Sequence, residues 1–202
     1  MKTLHKINQQ KINEMLDKHS KILNKTVNID TFVETGSHKG ATLEEAKKIF
    51  KACYSIELSS KYYDHCVTKF KTDRNVKLVH GSSIEKLPEI FSEFYNEPVI
   101  FFLDAHYSAS SDCAKHEGYD PPVLFEIEII LKQRISNGFF NDIIIVDDLS
   151  DFGLLSKSAD WQSVSINKIQ ELINKLNIDA EVYPTEDESQ LIIHLKNIKE
   201  NK

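Results

Sequence analysis

Two short stretches set groups capable of chemistry at the ends of apolar runs. "FFLDAHYS" carries Asp104 and His106, and "IIIVDD" carries Asp147 and Asp148. Three carboxylates facing one pocket repel each other and are costly to desolvate unless a cation joins them. Hard divalent ions such as Mg2+ prefer oxygen ligands of this kind, so Asp104, Asp147 and Asp148 are candidate metal ligands. A metal there would bind two adjacent substrate hydroxyls and lower the pKa of one. The competing readings are that Asp147 or Asp148 caps the segment that follows, or pairs with a lysine. His106, with Asp104 beside it, is the candidate catalytic residue, because an unperturbed imidazole titrates at about 6.5 and suits a general base. It is also a candidate metal ligand or a hydrogen-bonded structural histidine. Cys113 and His116 form a C-x-x-H pair, but structural zinc usually takes four ligands, and with His106 only three can be named. Segment 107–122 is long enough to form a wall over an acceptor.

These residues need a scaffold that brings strand ends together. Short apolar runs alternate with helical patterns along the chain. The strand candidates are 30–34, 53–57, 76–80, 98–104 and 142–147, and the helical stretches are 41–51, 59–72, 83–95, 122–136 and 162–176. Such alternation implies a parallel sheet with helices on both faces. Runs such as "VIFFL" and "IIIV" are apolar throughout, as strands covered on both sides are. "AEVYP" and "QLIIHLK", separated by "TEDES", read as a terminal antiparallel hairpin. Residues 5–24 carry spaced apolar side chains and read as one or two amphipathic helices. The expected division is an N-terminal helical cap over 1–28 and one α/β domain over 29–202. An open sheet of this kind binds ligands beyond the carboxyl ends of its strands, and every strand candidate ends in something polar: Glu34, Glu57, Ser82-Ser83, Asp104 and Asp147-Asp148.

The turn after the first strand is E-T-G-S-H-K-G, residues 34–40. A P-loop needs four residues between its glycines and a Lys-Ser/Thr after the second; only three intervene here, and Lys39 precedes Gly40. The dinucleotide fingerprint needs a middle glycine, where this chain has His38. A ligand with no phosphate at this turn fits better. S-adenosylmethionine is one: its ammonium favours a carboxylate such as Glu34, Gly36 and Gly40 allow close backbone approach, and Glu57 offers two acceptor oxygens to the ribose hydroxyls.

From about residue 30 to 196 the chain resembles the class I S-adenosylmethionine-dependent methyltransferases, through "VETGSHKGAT", "SIELS", "VHGSS", "FFLDAHYS" and "IIIVDD" in order. The resemblance implies a Rossmann-like, mostly parallel seven-stranded sheet with a reversed last strand. It implies cofactor contacts from Glu34, Thr35, Gly36, Ser37, Gly40, Thr42, Glu57, Leu58 and Asp104, with Ser82 or Ser83 standing where relatives often place an acid for the adenine amino group. The acidic ends of the fourth and fifth strands are similar to those of metal-dependent O-methyltransferases of catechols and sugars, although Tyr107 replaces the lysine of the catechol type. What this implies is O-methylation of a small-molecule hydroxyl, a sugar, polyol or diol, with Mg2+ as a second cofactor. The alternatives are a protein or nucleic-acid methyltransferase, or an inactive member that keeps the fold.

Composition narrows the partners. The 202 residues carry 41% hydrophobic and 28% charged side chains, normal for one globular domain, and a formal net charge of -6. That charge argues against a nucleic-acid surface. "MKTLHKINQQKINEML" has no long apolar run, so neither a signal peptide nor a membrane helix is expected. Three scattered cysteines, Cys53, Cys66 and Cys113, read as reduced thiols in a cytoplasmic protein. The expected partners are a small-molecule acceptor, a saccharide among them, and a second copy of the chain in a homodimer.

Overall fold

The computed structural model describes residues 6–106, 121–138, 141–155 and 160–198. Its strands are β1 (Thr31–Thr35), β2 (Ala52–Glu57), β3 (Val76–His80), β4 (Val99–Leu103), β5 (Ile143–Val146), β6 (Ile178–Pro184) and β7 (Leu191–Ile198). They form one sheet in the order β3-β2-β1-β4-β5-β7-β6. Strands β1 to β5 run parallel, and β7 lies antiparallel between β5 and β6. The parallel sheet and the reversed last strand are both as the sequence implied. Among the described residues six α-helices accompany the strands: α1 (Gln9–Leu23), α2 (Ala41–Ile49), α3 (Ser60–Lys69), α4 (Ser83–Ile90), α5 (Val123–Asn137) and α6 (Ile166–Lys175). No helix among the described residues is long and apolar enough to cross a membrane.

Side chains alternate across the strands and feed two apolar clusters. Val33, Phe101 and Ile144 join residues of α4, α5 and α6 on one face. Phe32, Phe102 and Ile145 join α1, α2 and α3 on the other. This two-sided burial is why β4 and β5 read as unbroken apolar runs. Ile12 of α1 lies in the same cluster as Phe32, so the first helix packs on the sheet.

Element ends differ from the sequence reading where local chemistry intervenes. The first amphipathic stretch is a single helix, opened by the Asn8 side chain, which accepts from the Lys11 amide at 2.9 Å, and closed by Asn24 in left-handed geometry. The helix expected over 83–95 ends at Ile90 and tightens to a 3-10 turn over Phe91–Phe94. The helix expected from 162 starts at Ile166, since the Ser165 hydroxyl accepts from the Lys168 amide and caps it there.

Two buried polar devices hold the layers in register. Arg134 of α5 meets Asp142 through Nε at 2.6 Å and Nη2 at 2.9 Å, and donates to the carbonyls of Tyr95 and Glu97. Asp142 also accepts the Val99 amide at 2.8 Å, which ties α5 to the starts of β4 and β5. On the opposite face, His19 of α1 lies 3.0 Å from His194 of β7. Cys53 and Cys66 are buried, free thiols, and burial pushes both up to about 12; Cys113 lies outside the described residues.

Candidate active site

The first part of the site is the rim formed by the ends of β1, β2 and β3. Gly36 turns with φ +83, donates its amide to the Ile56 carbonyl at 2.9 Å, and passes so close to β4 that a Cβ there would stand 2.5 Å from the Asp104 carbonyl oxygen. Packing within the chain therefore already demands glycine at this position. Gly40, with φ +67, faces the Phe70 ring in the same way. Between them His38 also takes left-handed geometry, which aims its amide at Glu57 Oε2, 2.7 Å away. The Ser59 amide meets the other oxygen at 2.7 Å. Two backbone donors thus fix the Glu57 carboxylate between the β1 and β2 turns, and each oxygen keeps a second lone pair for a further donor.

Glu34 lies lower. It is 1% exposed and accepts from the Ser55 hydroxyl, which in turn meets Ser37. Burial pushes the Glu34 carboxyl up to about 8, with Ser55 opposing and Asp104 and Glu57 adding to the shift. At neutral pH it keeps its proton. Through Ser55 and Ser37, Glu34 supports the turn from beneath. Thr35, Ser83 and Glu126 meet under the same rim on the opposite face of the sheet. The Thr35 and Ser83 hydroxyls lie near the Glu126 carboxyl and moderate the burial that lifts it to about 7, yet none of these oxygens makes a hydrogen bond of ordinary geometry.

The second part lies at the ends of β4 and β5. His106 Nε2 is 2.7 Å from Asp148 Oδ2 and 3.7 Å from Asp104 Oδ1. Asp148 sits in left-handed geometry with φ 55, a backbone state tolerated by Asp. Burial opposes its ionisation, but the His106 hydrogen bond and the Lys6 charge hold its carboxyl below the usual range. Trp161 walls the imidazole edge-on at 5.6 Å and stacks on Phe152. Asp147 turns away from this group. Gln190 Nε2 donates to its Oδ1 at 2.9 Å, and Lys6 pairs with its Oδ2. Lys6 Nζ also reaches Asp104 Oδ2 at 2.7 Å.

No protein-family model matches the chain, and no curated protein is similar to it in sequence. Solved structures are similar over almost the whole chain. A Streptococcus mutans protein named as a methyltransferase, in complex with SAH, superimposes with a TM-score of 0.58 at 12% identity, over 94% of this chain and 99% of its own. A Klebsiella pneumoniae protein named as an O-methyltransferase gives 0.54 at 13%, over 96% and 83%. The N-methyltransferase NodS of Bradyrhizobium japonicum gives 0.52 at 10%, over 95% and 98%. The chain has the fold of the class I S-adenosylmethionine-dependent methyltransferases.

The two halves of this rim present different sets of groups. The donor set of the first half fits a nucleoside: Glu57 is fixed with lone pairs to spare, and the buried Ser83 hydroxyl makes no hydrogen bond of ordinary geometry among the described residues. Thr42 and Ser37 are buried beside the turn, whereas Leu58 and Ser82 are half-buried. The second half does not fit a metal as it stands. Asp104, His106 and Asp148 come within 4.8 Å of one another, but His106 is spent on Asp148, and Lys6 holds Asp104 together with Asp147. The lysine-pairing alternative, raised for the β5 acids, describes Asp147. Tyr107, Cys113 and His116 lie outside the described residues, as does the wall expected over 107–122 except for its last two positions.

Four residues of the site carry weak sequence signals or none. Lys6 looks like one more solvated lysine before an amphipathic helix. Gln190 looks like the start of an edge strand. Glu126 was detectable as an acid within the apolar run "VLFEIEII", and Trp161 as the single tryptophan of the chain.

Proposed function

We propose that the protein is an S-adenosylmethionine-dependent methyltransferase that methylates a hydroxyl of a small molecule, a sugar, polyol or diol. The observation that carries the reading is Glu57: a carboxylate held by the His38 and Ser59 amides at the end of β2, in a sheet ordered β3-β2-β1-β4-β5-β7-β6. S-adenosylmethionine supplies an electrophilic methyl group when bound. Glu57 then accepts from its ribose hydroxyls, and Ser83 completes a polar contact beside the base.

On the acceptor side, His106 takes the hydroxyl proton. Its Nε2 pairs with Asp148 Oδ2, and that carboxylate stabilises the imidazolium that forms. Trp161 fixes the ring plane and narrows water access from that side.

Calorimetry with S-adenosylhomocysteine tests the cofactor half. Wild type should bind in the micromolar range. Glu57→Ala removes at least one charge-assisted hydrogen bond, worth about 1.5–3 kcal/mol, so affinity should fall about 10- to 150-fold. Unchanged affinity in that variant, or preferential binding of NAD or ATP by the wild type, overturns the reading.

A further inference from the structure

The acidic end of the rim poses a charge problem that the methyl-transfer reading leaves open. Asp104, Asp147 and Asp148 crowd the ends of β4 and β5, and such a cluster calls for a cation. The structure supplies one from the chain itself. Lys6 Nζ lies 2.7 Å from Asp104 Oδ2 and also contacts Asp147 Oδ2. Its backbone is anchored as firmly as its side chain: the Lys6 carbonyl accepts from Gln190 Nε2 at 3.2 Å, and the next residue, Ile7, is fully buried. Gln190 bonds Asp147 at the same time, so one amide ties the strap preceding α1 to the carboxylate its lysine neutralises.

The remaining groups of the cluster are committed too. Asp148 Oδ2 takes His106 Nε2 at 2.7 Å. A metal at Asp104, His106 and Asp148 would have to break that hydrogen bond, strip the hydrogen from Nε2, and share Asp104 with an ammonium already in contact with it. Placing a dication beside that ammonium adds like-charge repulsion.

We propose that Lys6 is the resident cation of this rim and determines its ion specificity: the ammonium holds Asp104 and Asp147 in the place a divalent ion would take, and excludes such an ion while it stays there. The role is one of positioning and exclusion, and it does not depend on which cofactor the other half of the rim binds. Withdrawing the lysine leaves the Asp104 and Asp148 carboxylates and the His106 imidazole within 4.8 Å of one another, with oxygen ligands suited to a hard divalent ion.

The test is Mn2+ binding to the full chain near neutral pH, with free Mn2+ read by electron paramagnetic resonance. Wild type should bind the ion weakly or not at all. Lys6→Met should bind one equivalent roughly tenfold more tightly or better, because an unfavourable charge leaves and two carboxylates are released. Adding Asp148→Asn to that variant should abolish the gain, and Lys6→Arg, which keeps the charge, should behave like wild type. The Lys6 side chain is 42% exposed, so these variants leave the core intact, and a thermal melt verifies it. Tight Mn2+ binding by wild type that Lys6→Met does not improve overturns the proposal. So does the absence of binding in both proteins, since the lysine is then not what keeps the ion out. Because Mn2+ is read directly, either failure leaves the Glu57 test untouched.

Discussion

The histidine pair beneath α1 makes the protein's stability depend on pH in a calculable way. His19 Nε2 lies 3.1 Å from the Asn141 carbonyl oxygen, which can only accept, so this nitrogen carries hydrogen. In neutral His19 the other nitrogen is then an acceptor, and His194 Nδ1, 3.0 Å away, must donate to it. That leaves His194 Nε2 as acceptor for the Tyr183 hydroxyl at 2.8 Å. With both rings neutral, every ring nitrogen of the pair has a partner. Burial, with the charges of His19 and Lys18 adding to it, lowers the His194 pKa to about 3; burial lowers that of His19 as well. A folded-state pKa below the unfolded 6.5 means that the unfolded chain binds the proton more readily, so stability is full above pH 6.5 and is lost as the pH falls toward 3. Between pH 7 and pH 5 the His194 contribution falls by about 2 kcal/mol at 1.36 kcal/mol per pKa unit. His194→Gln can still accept from Tyr183 and donate to His19 but does not titrate. Urea denaturation followed by Trp161 fluorescence should show wild type losing about 2 kcal/mol more than the variant over that interval. Glu34 and Glu126, whose raised pKa values act in the opposite direction, contribute equally to both proteins and cancel in the comparison. Equal losses in the two proteins would refute the neutral-pair argument.

Asp142→Asn should destabilise the protein by about 3–5 kcal/mol, because it leaves the fully buried Arg134 charge without its carboxylate; a loss below about 1 kcal/mol in denaturant unfolding would contradict this. His106→Ala should lower kcat for a hydroxyl acceptor by roughly 10²–10⁴ and remove the acidic limb of the pH profile, while S-adenosylhomocysteine affinity stays unchanged. A variant with normal kcat would mark His106 as structural.

The sheet was legible because its signals are local and redundant. β4 and β5 announce themselves as apolar runs ending in acids, and the turn "ETGSHKG" lies at the first strand end, where a ligand-binding rim begins. Glu57 could be placed for the same reason: strand position alone puts it on the rim. The partners of the acids were not legible. Lys6 is 98 residues from Asp104, and nothing in "LHKINQQ" separates it from a solvated lysine. Its position follows from the burial of Ile7 and from Gln190, which the β6–β7 hairpin delivers from the far end of the chain. Burial of Glu34 was hidden as well, because the family pattern fixes the residue type and not its depth below the turn. The Cβ contact that Gly36 avoids belongs to Asp104, a neighbour set by the pairing of β1 with β4 and invisible in the turn itself.

The acids of the rim are held by different means. Glu57 is held by the backbone amides of His38 and Ser59. Glu34 keeps its proton in a site sealed from water. Asp148 is held ionised by His106, while Asp104, buried against Lys6 and Asp147, has its carboxyl raised above the usual range, burial outweighing the lysine. Two acids flanking one imidazole are therefore driven apart in pKa, the arrangement by which a single pocket separates a charge partner from a group near neutrality. His106 stands 2.7 Å from the ionised one and 3.7 Å from the other. Under the proposed reading, Asp148 would stabilise a proton arriving on the imidazole, and Lys6 would limit the negative charge that Asp104 and Asp147 direct at a hydroxyl acceptor.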